Sequence, residues 1–194
     1  MFKYTATACA ASITAAVATT ASAQTIISNL GASTVSSTFF GPGGTTVFKA
    51  GGFTMGGSAF DLTDAVLRLD GSAGGQPVVS IYSDAAGAPG APLVALSGGP
   101  IGALSDYSFF PNVPFTLQAN TSYWLYVVDS GTGGNFNWIS TNVDPSGPHA
   151  TWVGYNFNGN PSTFRNFLEI NGVPGPATAG LFAMAGLFAA RRRR

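Results

Sequence analysis

The chain has 194 residues, 45% of them hydrophobic and only 8% charged, with a formal net charge of zero. That length suits one domain with a sizeable core, and the sparse charge excludes a nucleic-acid binder, which needs a basic face. Cys9 is the single cysteine, so a disulfide framework and a thiolate metal centre are excluded too.

At the N-terminus, Met1-Phe-Lys-Tyr carries one positive charge, and a small, weakly apolar stretch containing Ile13 follows through Val17. Ala21-Ser22-Ala23 then stands before Gln24. A basic start, an apolar middle and an A-x-A site predict a secretory signal helix over 1–23, cleaved between Ala23 and Gln24. Cys9 falls inside this segment, ahead of the end of the apolar region, which rules it out as a lipid acceptor.

The body, 24–172, keeps Lys49, Arg68 and Arg165 against all eight acidic residues, so it is mildly acidic once the two ends are set aside. It is rich in Gly, Phe, Val and Thr and poor in the helix formers Glu and Lys, which favours strands joined by turns. A strand is expected over 25–30, within a polar, Gly-rich lead. Residues 62–70 alternate Ala65, Leu67 and Leu69 against Asp64, Val66 and Arg68. Residues 77–82 are β-branched and stop at Ser83-Asp-Ala-Ala-Gly-Ala-Pro-Gly, with a return strand over 92–96. Residues 107–110 and 115–117 flank Pro111 and Pro114 and read as edge or bent strands. Ser122–Asp129 carries aromatics on both faces and should lie centrally. Strands over 135–141, 151–157 and 164–170 complete the set. Short strands at about 8–12-residue spacing, with turn signals between them, predict an all-β domain, an antiparallel β-sandwich of jelly-roll type.

Candidate chemistry is sparse. His149, the single histidine, sits in a Gly147-Pro148-His149 loop without a nucleophile frame around it. It reads as an exposed loop residue, and one histidine does not make a zinc site. Asp61, Asp64, Asp70, Asp84 and Asp129 flank or end strands, but no D-x-D-x-D-G calcium loop occurs. Asp84 reads as a turn former. No catalytic residue, metal or cofactor is expected, and the chain does not read as an enzyme.

The aromatics offer a binding surface instead: Trp124, Trp138 and Trp152, with Tyr123, Tyr126 and Tyr155. Alternation puts Trp124 and Tyr126 on one face of their strand and Tyr123 and Leu125 on the other, and one of these faces must be core. Trp138 and Trp152 lie among polar residues and are the candidate glycan contacts. Core packing competes with glycan binding for all of these rings.

The C-terminal segment, 173–194, has three parts. Val173-Pro174-Gly175-Pro176 forms a rigid hinge. An apolar run over 177–190 follows, with Leu181, Phe182, Leu187 and Phe188, and Arg191, Arg192, Arg193 and Arg194 end the chain. As a helix the run is about 21 Å long at 1.5 Å per residue, short of the roughly 20 residues a full span needs. It predicts a transient tether whose arginines hold the cytoplasmic side.

This tail resembles the PEP-CTERM sorting signal of Gram-negative bacteria, with Gly175 standing where that family carries Glu. The body resembles the exported choice-of-anchor domains of type R, in Phe60-Asp-Leu-Thr-Asp-Ala-Val-Leu-Arg-Leu, Val79-Ser-Ile-Tyr-Ser-Asp-Ala-Ala-Gly-Ala-Pro-Gly and Leu117-Gln-Ala-Asn-Thr-Ser-Tyr-Trp-Leu. The resemblance implies a β-sandwich surface domain without assigned chemistry. It also implies a route: Sec export, transient retention in the inner membrane, then processing near 173–176 by an exosortase-type membrane transpeptidase. Delivery to the cell surface or extracellular matrix would follow, in a structural or adhesive role in biofilm or exopolysaccharide. The alternative is a carbohydrate-binding module working through exposed Trp, with extracellular polysaccharide as its partner.

Overall fold

The computed structural model describes residues 22–41, 47–71, 73–131 and 134–175. The expected signal helix with Ala21, and the tail from Pro176 through Leu181, Phe182, Leu187, Phe188 and Arg191–Arg194, lie outside the described residues.

Among the described residues, fourteen strands form in chain order: β1 (Gln24–Ser28), β2 (Ser36–Phe40), β3 (Phe48–Met55), β4 (Phe60–Asp70), β5 (Pro77–Asp84), β6 (Pro89–Ser97), β7 (Ser105–Pro111), β8 (Thr116–Leu117), β9 (Ser122–Asp129), β10 (Phe136–Thr141), β11 (Ala150–Phe157), β12 (Asn160–Ser162), β13 (Arg165–Asn166) and β14 (Leu168–Pro174). All pair antiparallel, and no helix occurs among the described residues. The sheet runs β1-β14-β4-β7-β6-β5-β9-β3-β11-β12 and curls into a half-barrel. The branch β10, β13 and β2 attaches to β4.

Two strands shape the curl. β4 is the spine of one half: it pairs with β14 and β10 as well as β7 and β8. Its inward residues are Phe60 and Leu62, then Ala65, Leu67 and Leu69. The parity changes because β14 steps from Asn171 to Gly172 while β4 steps from Asp64 to Leu62, which leaves Thr63 as a bulge. β7 joins the halves. Its residues through Phe109 pair with β4, while Phe110 and Pro111 pair with β6. It is therefore an interior strand, and Pro111 sits at its end, where the lost N–H is tolerated. β9 is central as expected, between β5 and β3.

Composition concealed β2, β12 and, most consequentially, β3. Its Gly51-Gly52 pair reads as a breaker, yet the strand lies between β9 and β11. The glycines are there for what covers them. A Cβ on Gly52 would come within 2.9 Å of the Trp124 ring on one face. A Cβ on Gly51 would meet Leu168 of the other half at 2.7 Å, with Trp152 and Tyr155 close behind. Leu168 on Gly51 shows the two halves of the curled sheet pressed together, and the space a side chain would occupy is filled by rings and Leu168. One apolar cluster fills the interior, including Ile27, Phe40, Phe53, Leu67, Leu125 and Trp138. Each such side chain contributes about 1.5–3 kcal/mol on burial.

Candidate functional site

The expected glycan contacts separate at this level. Trp138 belongs to the core and is corrected as a surface residue: it is fully buried, and its Nε1 donates to the Phe167 carbonyl at 2.8 Å. Its polar surroundings misled because they are themselves packed. Asn137 faces away, and Ser140 and Thr141 are buried beside Asn166. Trp124 is also buried. It lies on Gly52, with Nε1 donating to Asp84 Oδ1 at 2.8 Å. Tyr123 and Leu125 are the core face. Tyr126 stacks between Phe48, at 4.8 Å, and Tyr82, at 4.3 Å. Both of its ring faces are thus occupied, which leaves its edge rather than a flat platform for a sugar.

Trp152 remains partly open. It leans on Tyr155 with ring centroids 4.4 Å apart. The pairing of β11 with β3 slips between Trp152 and Gly154, so Val153 is bulged out. The ring borders a cleft of about 280 Å³ lined by Asp144, Trp152, Tyr155, Ser162, Thr163 and Arg165. Arg165 Nε donates to Asp144 Oδ1, and this bond raises the guanidinium's pKa.

Beside this cleft, sharing Ser162, is a pocket of about 170 Å³ lined by Ser37, Thr38, Lys49, Phe157, Ser162 and Phe164. Lys49 is 1% exposed and points inward from β3. Its Nζ donates to Thr38 Oγ1 at 3.3 Å and lies over the rings of Tyr155, Phe157 and Phe164 at 5.3, 6.0 and 5.5 Å. Ion pairs among the described residues join Arg68 to Asp106 and Arg165 to Asp144, and neither includes Lys49. Burial pulls the Lys49 pKa down to about 8.

Behind Lys49 runs a buried polar network. Asn166 Nδ2 donates to the Trp138 carbonyl at 2.6 Å and faces Thr38 Oγ1 and Ser140 Oγ, each at 3.1 Å. Asn29 accepts from the Leu168 N–H at 2.8 Å and donates to the carbonyls of Val143 and Asn166. The Tyr155 hydroxyl donates to the Asn166 carbonyl, and burial raises its pKa. The hairpin that carries Ser162 and Phe164 turns at Asn158-Gly159, both with positive φ, and Phe48 N donates to Asn158 Oδ1 at 2.8 Å. Asn-Gly after a strand is a strong hairpin signal, and that signal in the sequence points to β12. Lys49, Asn29 and Asn166 have no such signal; only the assembled sheet brings them together.

No protein-family model and no curated protein matches the chain. The remaining sequence candidates are placed individually. His149 is half-buried rather than exposed, its ring 4.6 Å from that of Phe60. Asp84 caps its turn as expected, accepting from Gly87 N at 3.1 Å. Asp61 accepts from Thr116 Oγ1 at 2.6 Å. Among the described residues, no group of three or more His, Cys, Asp or Glu could hold a metal ion. Gln24 opens β1. Val173 and Pro174, expected in a hinge beyond the body, form the end of β14 opposite Asp61 and Phe60, and Gly175 N donates to the Ala59 carbonyl at 3.0 Å.

Proposed function

We propose that this is an exported protein of the bacterial cell surface or extracellular matrix, delivered by its C-terminal segment and serving a structural or adhesive role. The observation that carries the reading is the three-part tail, with the last strand running directly into it: β14 ends at Pro174, and the apolar run begins at residue 177. Strand β1 starts at Gln24, the first residue after the A-x-A site, which suits removal of the leader. We read the curled sheet as a jelly-roll-like β-sandwich, since it pairs antiparallel throughout and its halves meet across Gly51 and Leu168. Such a body needs neither cofactor nor catalytic residues; its partners are an exosortase-type transpeptidase and an extracellular polysaccharide. Processing beyond Gly175 leaves β14 whole. The test is expression of the full chain in a Gram-negative host with and without its exosortase, read by intact mass. Loss of the C-terminal peptide only when the enzyme is present supports the reading. A tail retained in both hosts refutes it.

A second reading, a carbohydrate-binding module, is favoured by the Trp152 cleft, which combines an open indole, a carboxylate–guanidinium pair and two hydroxyls. On a glycan array, binding that disappears in Trp152→Ala would support it, and a blank array would exclude it.

A further inference from the structure

We propose that the pocket around Lys49 is a binding site for a small organic carboxylate, independent of the tail-based reading and adjoining the Trp152 cleft, with which it shares Ser162. The argument starts from the cost of the lysine. An ammonium removed from water is strongly disfavoured unless it is paired. All eight acidic residues lie among the described residues, yet neither ion pair there involves Lys49. A methionine would fill this inward position of β3 without that cost.

The surroundings define what would compensate. An ammonium carries three N–H donors, and Thr38 Oγ1 takes one. Two remain, matching the two oxygens of a carboxylate. Phe157 and Phe164 supply an apolar wall for a carbon body, and Ser162, whose hydroxyl accepts from Phe164 N, stands at the rim. One cation matches one negative charge. A phosphate, which at neutral pH is in large part a dianion with three acceptor oxygens, would be left underpaired. Phe164, part of this lining, is 59% exposed, so the pocket reaches solvent on that side.

The composition makes the test specific. The chain holds two lysines, Lys3 and Lys49. Full-length protein labelled with [ε-13C]lysine is titrated with pH in the absence of ligand, then with D-glucuronate, butyrate, D-glucose or inorganic phosphate. Carboxylate binding is expected to raise the Lys49 pKa by about one unit or more, a tenfold preference for the charged form, with half-saturation near or below about 1 mM. Glucose should leave it unchanged, and the Lys3 signal should not respond. A response to glucuronate alone assigns the site to sugar acids, and one to butyrate alone to alkyl acids; either supports a carboxylate site. Phe164→Ala, a change at an exposed residue that leaves the fold intact, should weaken the response several-fold. A Lys49 signal unmoved by both carboxylates, or moved as far by phosphate, overturns the proposal.

Discussion

Replacing Lys49 with methionine should stabilise the protein, and by an amount that depends on pH. Lys49 titrates at about 8 in the folded chain, against an ordinary value of 10.5. The folded state therefore binds fewer protons than the unfolded state between these values, and stability contributed by this group rises with pH across that window. At pH 7 both states are charged, and burial of the charge costs about 3 kcal/mol on this difference, falling to about 1.4 kcal/mol by pH 9.5. The bond to Thr38, which the charged and the neutral amine both make, returns about 1–2 kcal/mol of it. Thr38 keeps its contact with Asn166 after the substitution, so no buried hydroxyl is orphaned. Tyr155 is the titratable neighbour. Its raised pKa lowers stability only as unfolded tyrosine ionises near pH 10, above the working window, and it does so equally in both proteins. Lys49→Met should thus gain about 1–2 kcal/mol at pH 7, roughly 2–8 °C in Tm for a domain of this size. The gap should narrow by about 2 kcal/mol between pH 7 and pH 9.5. Urea unfolding at both pH values, in carboxylate-free buffer, measures it. A variant less stable at pH 7, or a gap that does not change with pH, refutes the reasoning.

Two further predictions concern the glycine strand and the buried indole. Gly52→Ala should destabilise by about 1–3 kcal/mol, because the new methyl overlaps Trp124 and displaces the ring from Asp84; near-ultraviolet circular dichroism and the denaturation midpoint should move together. Trp138→Phe should cost about 2–4 kcal/mol by leaving the Phe167 carbonyl unpaired and a cavity behind, whereas Trp152→Ala should cost clearly less in the same unfolding assay. Equal losses for the two would contradict the assignment of one ring to the core and the other to the rim.

Much of the fold was legible because strands carry a two-residue period and turns carry distinctive residues. Residues 62–70 alternate as β4 does over Ala65–Asp70, and Asp84 caps the turn between β5 and β6. Where the sequence misled, side chains from distant strands decided the outcome. Gly51-Gly52 carries no strand signal of its own, and only Trp124 and Leu168, packed over it, account for the pair. Trp138 looks exposed until Asn166 satisfies the polar groups around it. β12 follows an Asn-Gly turn signal, yet its three residues, Asn-Pro-Ser, do not look like a strand.

By itself, the sequence determined the all-β class, since its composition starves helices and its periodicity supplies strands. It also carries, in one contiguous stretch, the Pro-Gly-Pro, the apolar run and the four arginines on which the sorting proposal rests. Only the tertiary structure decided which aromatics face the interior and that β14 runs on through Pro174. It alone placed one lysine without a carboxylate among three rings. The physical reason is range: neighbours in the chain fix strand propensity, whereas burial and charge pairing depend on residues that become neighbours only when the sheet curls.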